Sequence, residues 1–125
     1  MSSNALNAMF MSALEVLNYA KEELNKALRL KDMLLYRNAA DKAFLALIIA
    51  INAFIYGKTG VIPPRNHGER RRILREIGRE DLRALYSDLM RTLHDEAFYE
   101  GVYEPDEVSY AINKIENLIR ELMSR

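Results

Sequence analysis

The only side chains in this chain whose unperturbed titration falls near neutral pH are His67 and His94, because cysteine is absent. His94 follows Arg91 in the stretch "RTLHDEAFYEG", at i and i+3, so on an α-helix the two share one face. Together they supply a proton-transfer group and a cation, the parts of general acid–base catalysis with electrostatic stabilisation of developing negative charge. The alternative is a histidine favoured by the dipole at a helix C-terminus, with Arg91 paired to Asp88 or Asp95. The acids after His94, Asp95 and Glu96, repel a phosphate but can orient an imidazole.

His67 stands with Arg65, Asn66, Arg70 and Arg71 where a helix is expected to begin, and a helix N-terminus flanked by guanidinium groups is an anion site. These five are candidate ligand contacts, although capping alone accounts for Asn66. Tyr99, with Phe98 and Tyr103, either stacks a base beside the arginines or plugs one end of the molecule. Asp41 and Lys42, a structural polar pair, enter an apolar helix, where an unpaired charge is costly, so at least one of them is expected to face an interface or to pair with Arg37 or Asn38. Two histidines far apart in sequence, and Glu96 with Glu100 at i and i+4, make no recognisable ligand set, so no metal is expected. Phosphate-loop, dinucleotide and serine-hydrolase motifs are missing too, and no cofactor is expected.

The elements that must position these residues read as helices throughout, since apolar residues recur at three and four and strand-like alternation is missing. The first helix, capped by Ser2, Ser3 or Asn4, carries Leu6, Phe10, Ala13, Leu17, Ala20, Leu24 and Ala27 in a regular seam. Either a neighbouring helix or a second chain fills that seam. A reversal is expected near Leu30 to Leu34, with Asp32 as N-cap of a second helix that becomes apolar almost all round and is ended by Gly57 and Gly60. The connector "GKTGVIPPRNHGERRR" is a loop stiffened by Pro63 and Pro64. A third helix follows over about 67–77, closed by Gly78, then a fourth over about 79–97 and a fifth opened by Pro105. The expected fold is all-α, an up-and-down bundle of four to five helices in a single domain spanning residues 1–125.

Half the residues are apolar and 29% are charged, the balance of a folded chain, and the formal net charge is zero. That balance excludes a strongly basic nucleic-acid-coating protein. The charge is uneven along the chain, however. Between Arg65 and Arg83 seven arginines meet four acids, while Asp95 to Glu107 holds six acids and no base. This pattern reads either as solvated, mutually paired helix faces or as an anion-binding arginine face with a separate acidic rim. Without cysteine the natural compartment is a reducing cytoplasm. The start "MSSNALNAMF" lacks the features of a secretion signal, and the apolar run Ala43 to Tyr56 is too short to span a bilayer and carries Asn52, so no membrane partner is expected.

The segment "YRNAADKAFLALIIAINAFIYGKTGVIPPRNHGERRRIL" resembles the second helix and following turn of HEPN-superfamily domains. Its alanine-rich stretch with an acid and a lysine, its proline loop and its polar residue before histidine carry the likeness. The later "LYSDLMRTLHDEAFYEG" with a final amphipathic helix is similar to the archaeal PaREP1 branch of that group. The resemblance covers roughly 34–122, and "AADKA", "PPRNH" and "LHDEAFYEG" are its distinctive parts. It implies a HEPN-like helical bundle, a homodimer, and a superfamily rich in RNA-cleaving toxins and in RNA- or nucleotide-binding modules. HEPN ribonucleases carry an arginine followed after four to six residues by a histidine. Here Arg91 and His94 have two residues between them, Arg83 and His94 ten, and Arg65 and His67 one.

Two functions follow as expectations. The first is a dimeric HEPN-like module that lacks an intact nuclease motif and binds RNA, a nucleotide or a protein partner. The second is a divergent metal-independent ribonuclease of toxin–antitoxin type that uses Arg91 and His94.

Overall fold

A computed structural model describes residues 3–63 and 65–124. The regular structure of these residues is helical: α1 (Ser3–Leu30), α2 (Met33–Thr59), α3 (His67–Glu76), α4 (Glu80–Leu89), a π-helical segment (Met90–Tyr99) that continues α4 without a break, and α5 (Pro105–Met123). Of the three candidate caps of α1, Ser2 lies outside the described residues, as does Pro64 of the proline pair, and Ser3 and Asn4 are already helical.

The reversal between α1 and α2 takes two residues. Leu30 ends α1, Lys31 adopts a left-handed φ of 55°, and the Asp32 amide donates back to the Ala27 carbonyl at 2.9 Å. This is the six-to-one bond of a Schellman ending, with lysine where glycine is usual. Asp32 is at once the N-cap of α2, its carboxylate accepting from the Leu35 amide at 3.1 Å. The far end of α2 differs from expectation. The helix runs through Gly57 and stops at Gly60, which has φ 71°. Gly57 serves packing instead, because a Cβ there would sit 3.2 Å from Leu6 of α1.

The seam of α1 is filled within the chain. Phe10, Ala13, Leu17, Ala20, Leu24 and Ala27 are all buried, and Leu6 is partly so. Alanines dominate the facing helix: Ala39, Ala40, Ala43, Ala46, Ala50 and Ala53 are each fully buried. Small residues on both helices favour a close approach of their axes. By length and composition α2 would suffice to cross a membrane, but most of its apolar window is buried by the rest of this chain.

The remaining helices take alternating directions against this hairpin. The Glu104 amide donates to the Tyr36 hydroxyl near the start of α2, while Leu122 lies with Leu6, Phe54 and Gly57 near its end, so α5 runs parallel to α2 and antiparallel to α1. Lys21 pairs with Glu116 midway along that contact. From Tyr86 beside Phe44 to Phe98 beside Arg37, α4 and the π segment run antiparallel to α2. The short α3 bridges α2 and α4. It is capped by Asn66, which accepts from the Glu69 amide at 2.8 Å, and closed by Gly78 at φ 81°.

An uninterrupted α-helix was expected over 79–97, but residues 90–99 form the wider π-helix. Its end is held from outside: Arg37 of α2 donates through Nε to the Phe98 carbonyl and through Nη2 to the Tyr99 carbonyl, both at 2.7 Å. Gly101 then turns the chain at φ 71°, with room for no Cβ because Arg37 Nη1 would lie 3.1 Å away. Long π segments are rare and tend to occur at functional sites.

Candidate functional site: a groove with two histidines

His67 and His94, separated by the whole of α3 and α4 in sequence, have ring centroids 6.1 Å apart. Three elements meet to bring this about. His67 is the first residue of α3, His94 lies midway along the π segment, and α2 passes beneath both with Phe44 5.6 Å from each ring. The two imidazoles line one wall of an open groove of about 750 Å³. Asp41, Lys42, Asn38, Glu23 and Lys26 form its polar lining, while Leu35, Leu45 and Ile48 complete the apolar part. That volume suits a small organic ligand or one nucleotide unit.

Each imidazole is held through Nδ1. Asp41 accepts from His94 Nδ1 at 2.7 Å, which fixes the ring and, in the neutral imidazole, leaves the lone pair on Nε2. The expected partners of Asp41 and Lys42, Arg37 and Asn38, are not the ones found. Asp41 reaches across to the π segment and Lys42 pairs with Glu23 of α1. Successive residues on a helix point about 100° apart, so the two charges serve different neighbours. His94 also stacks on Phe98, with centroids 5.8 Å apart and planes at 17°, and meets Tyr99 edge-on at 5.5 Å.

His67 Nδ1 lies 2.5 Å from the Tyr86 hydroxyl, and Arg70 Nη1 is 3.3 Å from the same hydroxyl. The guanidinium of Arg70 is buried, at 5% exposure, and its Nε donates to Asn52 Oδ1 at 2.8 Å. Among the described residues no carboxylate pairs with it. Burial, and then the positive charge of Arg70, hold the His67 imidazolium below the ordinary histidine range. Burial pushes the Tyr86 phenol up, so it keeps its proton.

The other sequence candidates are scattered around this centre. Asn66 is an exposed cap, Arg65 is exposed, and Arg71 is half-buried on α3 outside the groove lining. Tyr99 is mostly exposed and touches the site only through His94. Arg91 does not join it. Its guanidinium is exposed and lies 3.7 Å from Asp88, because the π segment turns less per residue than an α-helix and carries positions i and i+3 away from a common face. Much of the arginine-rich segment pairs locally: Arg72 with Glu76, Arg79 with Asp81, and Arg83 with Glu80. Sequence reasoning missed Tyr86, took Arg37 only as a partner for Asp41 or Lys42, and took Asn52 only as a mark against a membrane span. A lone asparagine in the most apolar stretch was the available signal that a polar partner would be buried there.

Among the described residues no group of three or more His, Asp or Glu side chains has metal-ligand geometry. Neither the curated proteins nor the solved structures contain a match to this chain. The model of the archaeal PaREP1/PaREP8 family matches residues 15–119, which include every groove residue, and the chain belongs to that family.

Proposed function

We propose that the groove is an acid–base site acting on RNA, with His94 and Asp41 as the base and His67 beside the phosphate. The observation that carries this reading is the convergence of two histidines and a carboxylate in one groove. A carboxylate-held imidazole with a free Nε2 is a general base. Among the described residues no serine, threonine or cysteine lines the groove, and a ligand that carries its own nucleophile suits it. RNA brings its own: His94 takes the 2′-hydroxyl proton, the 2′-oxygen attacks the adjacent phosphorus, and the bond to the 5′-oxygen breaks. The departing oxygen receives a proton from water, giving a cyclic phosphate and a free 5′-hydroxyl. Lys26 supplies cationic charge at the lining, and Arg70 supplies it from behind His67.

In this reading His94 keeps the role suggested by sequence, while His67 and Asp41 take the place of Arg91 beside it. The domain is HEPN-like and pairs as a homodimer in the cytoplasm; sequence resemblance supports the fold and the dimer, the absence of cysteine supports the compartment, and sedimentation tests the dimer.

The experiment is incubation of the purified protein with mixed-sequence RNA in excess chelator. We expect cyclic phosphate ends, no cleavage of DNA, and a loss of about 10²–10⁴-fold in His94→Ala, the usual contribution of a general base. Asp41→Asn should lose nearly as much, and Arg91→Ala should stay close to the parent. Absence of cleavage by the parent protein at stoichiometric concentration overturns the catalytic reading. Salt-dependent RNA binding in that case makes the domain a binding module.

A further inference from the structure

We propose that Tyr86 and Arg70, with Asn52 behind them, form a tautomer lock that holds His67 as a neutral imidazole with its proton on Nε2, so that it presents a hydrogen-bond donor to the groove. His67 and His94 are then not interchangeable: one offers a donor and the other a lone pair.

The inference comes from counting protons. Arginine only donates, and Arg70 directs Nη1 at the Tyr86 hydroxyl, 3.3 Å away, and towards His67 Nδ1 at 3.4 Å. Tyr86 is fully buried, so its hydroxyl proton needs an acceptor inside the protein. Among the described residues, the acceptor within reach of that hydroxyl is His67 Nδ1, at 2.5 Å. A nitrogen that accepts from two donors carries no proton, and in a neutral imidazole the proton then sits on Nε2. Asn52 completes the device by accepting from Arg70 Nε at 2.8 Å, which holds the guanidinium in place without neutralising it.

The surroundings of His67 favour the neutral form from most sides. Arg70 and Arg71 lie on its own helix, Tyr86 on α4, and His94 and Asp95 on the π segment; from α2, Asp41 and Lys42 line the same groove. His67 also occupies the N-terminus of α3, the positive end of the helix dipole. Of the neighbours that act on its titration, Asp95 alone favours a charge there, and burial and the adjacent cations outweigh it. A neutral imidazole in such a position polarises a substrate oxygen by hydrogen bonding rather than by full proton transfer. Its assignment to a phosphoryl oxygen rests on the RNA reading above; the tautomer does not. Tyr86, Arg70 and Asn52 are positioning residues, acting on the ligand through His67.

The test is nitrogen-15 NMR of the full chain labelled at histidine, which distinguishes a protonated from a bare ring nitrogen. We expect His67 to show a bare Nδ1 and a protonated Nε2 at pH 7, and His94 to carry a proton on Nδ1, the nitrogen that faces Asp41. A proton on His67 Nδ1 overturns the lock, and this measurement on the parent protein needs no variant to fold. In Tyr86→Phe, His67 should become a mixture of tautomers; an unchanged Nε2–H form would show that Tyr86 does not set it. The two proposals fail separately. The expected tautomers without RNA cleavage leave the lock standing and remove the activity, whereas cleavage with a protonated Nδ1 does the reverse.

Discussion

At the scale of single residues, His67 couples the site to folding. Its imidazolium is disfavoured in the folded protein by burial and by Arg70, so the unfolded chain binds the extra proton more readily. This contribution to stability is complete above the unfolded histidine value of 6.5 and is lost as pH falls from there towards the lower folded value. Melting temperature should therefore drop as pH falls below 6.5, ahead of the carboxylate range. His67→Gln should flatten that segment of the profile; an identical slope in the variant would locate the titration elsewhere. Both histidines were legible in the sequence because the residue type announces its chemistry. Their partners were not, since nothing in "AADKA" says that Asp41 accepts from a ring 53 positions later.

Helix boundaries illustrate the element scale, where local rules carry most of the information. Asp32, Asn66, Gly78 and Pro105 each act at the ends where their chemistry places them. Lys31 breaks the pattern by occupying a left-handed position with a side chain. Lys31→Gly should raise stability by about 1 kcal/mol, read from denaturant midpoints at an unchanged slope, because glycine reaches that conformation without the Cβ penalty. A fall in stability would mean that the unfolded-state freedom of glycine outweighs the relief. The π segment had no sequence signal at all. Leu89 at the end of α4 and Leu93 and Ala97 within the segment keep a spacing of four that suits an α-helix, and the bonds that hold the Phe98 and Tyr99 carbonyls come from Arg37 of another helix.

For the molecule as a whole, stability rests on the alanine-lined contact between α1 and α2 and on the groove that the other helices leave above α2. Ala50 is fully buried midway along that helix. Ala50→Leu should cost about 1–3 kcal/mol through overpacking, measured by thermal or denaturant unfolding. A neutral result would show that the interface has slack that the fully buried alanines do not suggest. The seam of α1 had two possible fillings in the sequence, a helix of the same chain or a second copy. Within the chain that seam is already buried, so a dimer would have to use another face.

Sequence alone determined the helical class, the order of the helices, the core faces and most caps, because each depends on side chains within a turn or two of one another. It also singled out the two histidines and the likeness to the archaeal family. The tertiary structure decided which of those residues share a site. Whether His67 meets His94, and whether Arg91 stays outside, depends on the path of α2 beneath two distant elements and on the π-helical twist of the segment that carries His94. Contacts of that kind depend on how whole helices pack, and residue spacing along the chain carries no record of them.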